Sequence, residues 1–440
     1  MDPKFCWRTL KKRRRFDVNR DLISELPDAL LIQILSLLPT IDAVGTCVLS
    51  KRWSSLWQYL PKLDYHYQNG RTSLRLSPQF VHRFLLLNKS LLLESMRLIV
   101  ESDCEAVDIG IWIGYAVERG LRELELDPNS ENGYIRLPSN IYACQTLEVL
   151  KLKSYVRVDV PDSPVCFKSL KILHLHLVYY EDDDSVRRLF SSCPNLEELD
   201  VKRYIDNVIK FVIESPSLKR LSIRDCSDGD GQRGYVINAP SLNYLSIKGP
   251  KDFEFSLEYT PKLVEANITN ISNIKTEKIL LPLASSVKRL SLSLSHLETR
   301  YAASIIFHQL VYLELGTRET EWWNLLMNLL MNSPQLQALK LSDGDGKYSE
   351  EHETNPPFTK PISVPPCLLS HLQIFEWEGY NGQREEEIQV ATYILTNAKH
   401  LTKANFSTDY KYFTADEKLE MLQELAREPK ASTSCYFFFE

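Results

Sequence analysis

The string Leu-x-x-Leu-x-Leu returns along most of this chain, and it limits the possible folds more than any other feature. It occurs as Leu121-Leu124-Leu126, Leu147-Leu150-Leu152, Leu170-Leu173-Leu175 and Leu196-Leu199-Val201. It continues as Leu218-Leu221-Ile223, Leu242-Leu245-Ile247, Leu263-Ala266-Ile268 and Val287-Leu290-Leu292, then Leu310-Leu313-Leu315 and Leu336-Leu339-Leu341. Leu93-Met96-Leu98 is a weaker start. The last two apolar residues of each copy flank one outward residue, the alternation of a short strand with one buried face. One such strand and its return segment cannot bury that face alone. Stacked copies can, so the copies are expected to form a curved solenoid lined on its concave side by strands.

The copies recur every 21 to 28 residues or so, near the range of leucine-rich repeats. Several return segments read as short helices; Ser185 to Ser192 is one, with Asp182 to Asp184 well placed at its start. Proline precedes many copies, at Pro194, Pro216, Pro240, Pro261 and Pro334, where it stops a helix and sets an extended approach. The Asn or Cys that usually follows the strand is mostly missing, with Cys226 its one convincing occupant. Residues 90–345 are assigned to this array. Pro356, Pro357, Pro361, Pro365 and Pro366 then make a stiff connector. Residues 356–440 alternate strand, helix, strand, helix, strand: Leu372 to Trp377, Arg384 to Asn397, Leu401 to Phe406, Ala415 to Arg427 and Ser434 to Phe439. This unit is expected to continue the sheet and cap the solenoid. The fold class is therefore α/β.

Composition removes several functions. A chain of 440 residues is expected to hold two or three structural units. The net charge of −6 argues against a general nucleic-acid binder. No apolar run approaches the roughly 18 to 20 residues that cross a bilayer, so no membrane role is expected. Nine scattered cysteines without a C-x-x-C pair fit reduced thiols in cytosol or nucleus, not a disulfide framework. The glycosylation patterns at Asn88, Asn267, Asn270 and Asn405 are then coincidental. Residues 1–20 read as a disordered basic leader whose Lys11 to Arg15 run is a candidate nuclear-import signal.

Residues 21–65 behave differently. Leu30, Leu31, Ile32, Ile34, Leu35, Leu37 and Leu38 cover nearly the whole circumference of a helix, so both sides must be buried. Further helices are expected over Ile41 to Leu49 and Lys51 to Trp57. A unit this small cannot cover such a surface by itself. Leu22, Leu26-Pro27, Leu30, Ile34, Leu37-Leu38-Pro39, Ala43-Val44, Val48 to Trp53 and Leu56-Trp57 resemble an F-box. Near the other end, Leu368-Leu369, Phe375-Glu376-Trp377 and Asn397-Ala398 are similar to the FBD region that accompanies such repeats in plants. The chain thus resembles the plant F-box/leucine-rich-repeat/FBD family. That resemblance implies docking on a Skp-type adaptor and, through it, a cullin. By position, it implies that Leu26, Pro27, Leu30, Ile34, Leu37, Val48, Leu49 and Trp53 face the adaptor.

No catalytic constellation is visible. A ligase performing its own transfer needs a competent cysteine or a zinc-braced domain, and the cysteines offer neither spacing. No cofactor is expected. His174 and His176 flank Leu175 and could ligate a metal if two more ligands were near; no such constellation is evident, so no metal is expected. The loops Ser227 to Gly231 and Ser342 to Gly346 are calcium-like, but the twelfth positions counted from Asp228 and Asp343 are Ala239 and Thr354, so tight turns are expected.

Alternation places Glu123, Glu125, Asp127, Lys151, Lys153, His174, His176, Glu198 and Asp200 on the concave side. Arg220, Arg224, Tyr244, Lys248, Arg289, Tyr312, Glu314 and Lys340 follow. Lys151, His174, His176, Asp200, Arg220, Arg224, Tyr244 and Tyr312 are the candidate contacts to a protein target, since mixed signs favour specific matching. The expected function is non-catalytic substrate recognition within a Skp–cullin–F-box ubiquitin ligase. A repeat scaffold without ligase coupling is the alternative, and an unrecognised repeat enzyme the third reading.

Overall fold

A computed structural model describes residues 23, 25–66, 78–100, 105–128, 133–162, 165–204, 207–226, 233–249, 254–258, 260–271, 276–294, 305–318, 322–343, 358–382, 384–408 and 415–439. The basic run Lys11 to Arg15, Leu22, the loop Ser227 to Gly231, Gly344 to Gly346, and Pro356-Pro357 lie outside the described residues.

One parallel sheet of 15 strands runs from Lys62–His66 to Tyr436–Phe439. Its register follows the leucine spacing: Leu98, Leu126, Leu152, Leu175 and Val201 stand side by side on successive strands. All apolar positions of the ten full copies, from Leu121 to Leu341, are no more than 1% exposed. Deleting methylenes from any of them would open a cavity that stacked neighbours cannot fill.

The return segments cover the buried face in two ways. Ala106–Glu118, Asp183–Ser191 and Trp322–Met331 are helices. At the second of these, Asp182 accepts the Ser185 N–H at 2.6 Å, the cap that its acidic start predicts. Other returns, which the sequence pattern left unassigned, are strands. Ile135–Arg136, Val156–Val158 and Tyr179–Tyr180 form one three-stranded parallel sheet. Lys210–Glu214, Gly234–Asn238 and Glu254–Leu257 form another. Their short β-branched and aromatic runs, such as Phe211-Val212-Ile213, pack as extended chain and are too brief for a helix.

Between these layers lies a buried polar knot. Arg203 is 1% exposed, donates to Val208 O at 2.6 Å and to Tyr235 Oη at 3.0 Å, and sits 4.0 Å from the buried Asp225 carboxylate. Its guanidinium also rests 4.9 Å from the Phe211 ring centre.

The C-terminal segment adds Ile374–Glu378, Lys403–Ser407 and Tyr436–Phe439 to the same sheet. Helices Glu385–Asn397 and Ala415–Arg427 connect them. Phe406 gathers its aromatic core, with Phe375 at 5.4 Å, Tyr380 at 5.3 Å and Phe437 at 5.2 Å between ring centres.

The N-terminal head is part of this same sheet. Helices Asp28–Leu35, Thr40–Gly45 and Trp53–Leu56 lead into the Lys62–His66 strand, which pairs Leu63 with Met96. Thr40 Oγ1 accepts the Asp64 N–H at 2.8 Å, and buried Asn88 donates to Leu60 O at 2.9 Å. Lys89 N–H donates to Gln58 O at 2.6 Å, and Trp57 packs on Phe84 with ring centres 6.0 Å apart. Asn88 thus ties the end of the Pro78–Leu87 helix to the head, with its side-chain amide buried and occupied by that bond. Because Thr40 is only 2% exposed, Thr40→Ala orphans a backbone N–H. It is expected to cost about 1–3 kcal/mol of stability, read by denaturant unfolding.

Candidate functional site

The head sorts its apolar residues into two sets. Leu31, Leu35, Ala43 and Leu56 turn inward and are nearly inaccessible. Leu30 and Ile34 are each 44% exposed, Leu49 64%, Leu37 82% and Val48 84%. Leu30 and Ile34 are neighbours at i, i+4 on one helix, so they form a stripe, not isolated spots. Leu26 is half-buried, and Pro27 is exposed at the helix entry. Arg52 fixes that entry: Nε donates to Asp28 Oδ1 at 2.8 Å, and a terminal nitrogen donates to Leu26 O.

Trp53 corrects the sequence expectation. It is 8% exposed, so it supports this surface from beneath and is not presented on it. The chain turns at Ser50 to Arg52, so no helical register carries the exposed side of Val48-Leu49 onward to Trp53. Leu38 and Tyr59 are also exposed, although neither was singled out as a contact.

Outward residues of the long sheet form the second surface. Lys151, His174, His176, Asp200, Tyr244 and Tyr312 are half-buried there, and Arg220 and Arg224 are exposed. Their charges are largely matched across strands. Glu125 takes Lys153 at 2.6 Å and Arg97 at 3.3 Å. Burial raises its pKa, but these cations outweigh that and hold it below the usual carboxylate value. Lys340 lies 3.1 Å from Glu314 and 2.8 Å from Glu378, and Lys403 lies 2.7 Å from Glu376. Two arginines sit over tyrosines of the next strand: Arg220 over Tyr244 and Arg289 over Tyr312, each guanidinium carbon 4.2 Å from the ring centre. Between the charged regions, Ser222, Ser246, Asn267 and Ser291 share one register row of small uncharged side chains.

His174 and His176 do acquire neighbours that the sequence reading did not bring together. Asp200 pairs with His174 in the sheet register, and Glu198 stands beside it on the same strand. Nε2 of His174 is 3.1 Å from Glu198 Oε1, and Nε2 of His176 is 3.0 Å from Asp200 Oδ2. Donor atoms of His174, His176 and Asp200 all lie within 4.8 Å of one another.

Among the described residues, no helix is long and apolar enough to cross a membrane. The described cysteines are all free; burial pushes the thiols of Cys193 and Cys367 up to about 12.

Comparison with known proteins matches three family models: "F-box domain" over residues 23–65, "FBD-associated F-box protein At5g56370, LRR repeats" over 109–266, and "FBD" over 360–406. The F-box/FBD/LRR-repeat protein At3g52680 of Arabidopsis thaliana is 45% identical, with 97% of this chain and 95% of that one covered. The F-box/FBD/LRR-repeat protein At2g04230 of the same plant is also 45% identical, covering 98% of this chain and 99% of its own. Among solved structures, the crystal structure of the TLR13–ssRNA13 complex covers 82% of this chain and 55% of that chain. Its TM-score is 0.38 at 15% identity, too distant a likeness to bear on function. Full-length identity, together with a helical head built into a repeat sheet, gives one conclusion: the chain belongs to the plant F-box/FBD/LRR-repeat family.

Proposed function

We propose that this protein is a non-catalytic substrate-recognition subunit of a Skp–cullin–F-box ubiquitin ligase. The head docks on the Skp-type adaptor, and the open face of the sheet holds a protein target. One observation carries this reading: an exposed apolar surface at Leu30, Ile34, Leu37, Val48 and Leu49 sits on a head that shares a sheet with the repeats. Such side chains each contribute about 1.5–3 kcal/mol when fully covered, so the surface is well suited to a partner protein. The shared sheet holds target and adaptor at a fixed separation. That raises the effective concentration of the target at the conjugating enzyme.

Burial and raised pKa values leave Cys193 and Cys367 as poor nucleophiles. Free cysteines fit action in cytosol or nucleus. Neither nucleic acid nor membrane is required. Residues 21–65 would act as the docking unit, 90–345 as the target-binding array and 356–440 as its cap.

Proximity labelling in plant cells under proteasome inhibition tests this reading. Wild-type chain and a variant with Leu37→Glu and Val48→Glu should label the same targets, but those targets should accumulate ubiquitin only with the wild type. Equal ubiquitination with both chains would support a scaffold without ligase coupling.

A further inference from the structure

We propose that His174, His176 and Asp200 form a site for a first-row divalent cation, Zn2+ under cellular conditions, on the open face of the sheet. This does not depend on the ligase reading. Two adjacent strands supply the ligands: His174 and His176 lie on Ile172–His176, and Asp200 on Glu198–Arg203. Parallel pairing sets Asp200 directly against His174, so the backbone fixes the ligands before any metal arrives.

Two imidazoles and a carboxylate match the nitrogen and oxygen preference of zinc. The two rings lie nearly parallel, 7° apart with centres at 5.8 Å, as imidazoles one residue apart across a strand face can. Their donor atoms and that of Asp200 are mutually within 4.8 Å. Tetrahedral zinc, with bonds of about 2.0–2.1 Å, needs roughly 3.4 Å between ligands, a distance that side-chain rotation reaches.

A second observation points the same way. His176 Nε2 and Asp200 Oδ1 are both buried without a hydrogen-bond partner, although Nε2 lies 3.0 Å from Asp200 Oδ2. The approach is close but outside hydrogen-bonding geometry. Two shielded ligand atoms left unmatched in this way are costly unless something else joins them. Glu198, 3.1 Å from His174 Nε2, is available either as a fourth ligand or to orient the ring.

The competing cation is Arg224, 3.4 Å from Asp200 Oδ2. Metal binding displaces Arg224 toward solvent, where it is already exposed.

Titrating the chelator-stripped full chain with Zn2+ by calorimetry, and with Co2+ by visible absorption, tests the site. The expected result is one equivalent of Zn2+ bound at micromolar Kd or tighter, with the absorption of tetrahedral Co2+. His176→Ala and Asp200→Asn should each weaken binding at least tenfold, while thermal melts show that the metal-free variants still unfold cooperatively. Arg224→Gln should tighten it severalfold, which a merely damaged fold would not do. No binding to the wild type, or equal binding by His176→Ala, would overturn the proposal.

Discussion

Replacing Leu37 and Val48 by glutamate should weaken binding to a Skp-type adaptor at least 100-fold, about 2.7 kcal/mol, and leave the unfolding temperature unchanged. Both side chains are more than four-fifths exposed, so polar replacements cost the isolated chain little. In the complex each glutamate would be buried against an apolar partner without compensation. Leu31→Ala provides the contrast. Leu31 is fully buried, so its truncation should remove about 2–5 kcal/mol of stability and weaken binding only through unfolding. Calorimetry and thermal melts on the same samples separate the two effects. Undiminished affinity in the glutamate variant would mean that the adaptor sits elsewhere.

The second large effect concerns the knot beneath the repeats. Asp225→Leu should destabilise the protein by about 3–5 kcal/mol, because it leaves the Arg203 guanidinium buried beside an apolar side chain. The double variant Arg203→Met, Asp225→Leu should recover part of that loss, since the fully buried cation is then removed, although Arg233 still loses the Asp225 carboxylate 4.0 Å away. Denaturant unfolding of the four proteins completes a mutant cycle. A double variant less stable than Asp225→Leu alone would show that Arg203 contributes mainly through packing on Phe211 and its bond to Val208.

The repeats were legible because burial in a strand has period two, and leucine spacing displays that period directly. Strand placement after Pro366 was legible for the same reason. The Lys62–His66 strand was not: its copy of the pattern, Leu60-Leu63-Tyr65, has an aromatic in the third place and reads as the tail of the head. Its discovery matters, because it joins both proposed interfaces into one sheet. Return strands such as Gly234–Asn238 were missed because short apolar runs do not distinguish strand from helix by periodicity alone.

On the target face, residue positions were readable but partners were not. Aligning Leu173-His174-Leu175 with Leu199-Asp200-Val201 would have set a carboxylate beside the histidine pair. The relevant signal lay in the register between copies, not within either copy. The placement of Arg220 over Tyr244 and Arg289 over Tyr312 has the same origin. Trp53 was misplaced for the opposite reason: the resemblance assigned it to a surface, while the break at Ser50 to Arg52 turns it into the core.

Hydroxyl-radical footprinting of the full chain, alone and with a Skp-type adaptor, is the most direct measurement. Strong protection should appear at Leu30, Ile34, Leu37, Val48 and Leu49, with Tyr244 and Tyr312 unchanged. Unaltered reactivity at those five residues in a stable complex would contradict the claim that a partner covers the head.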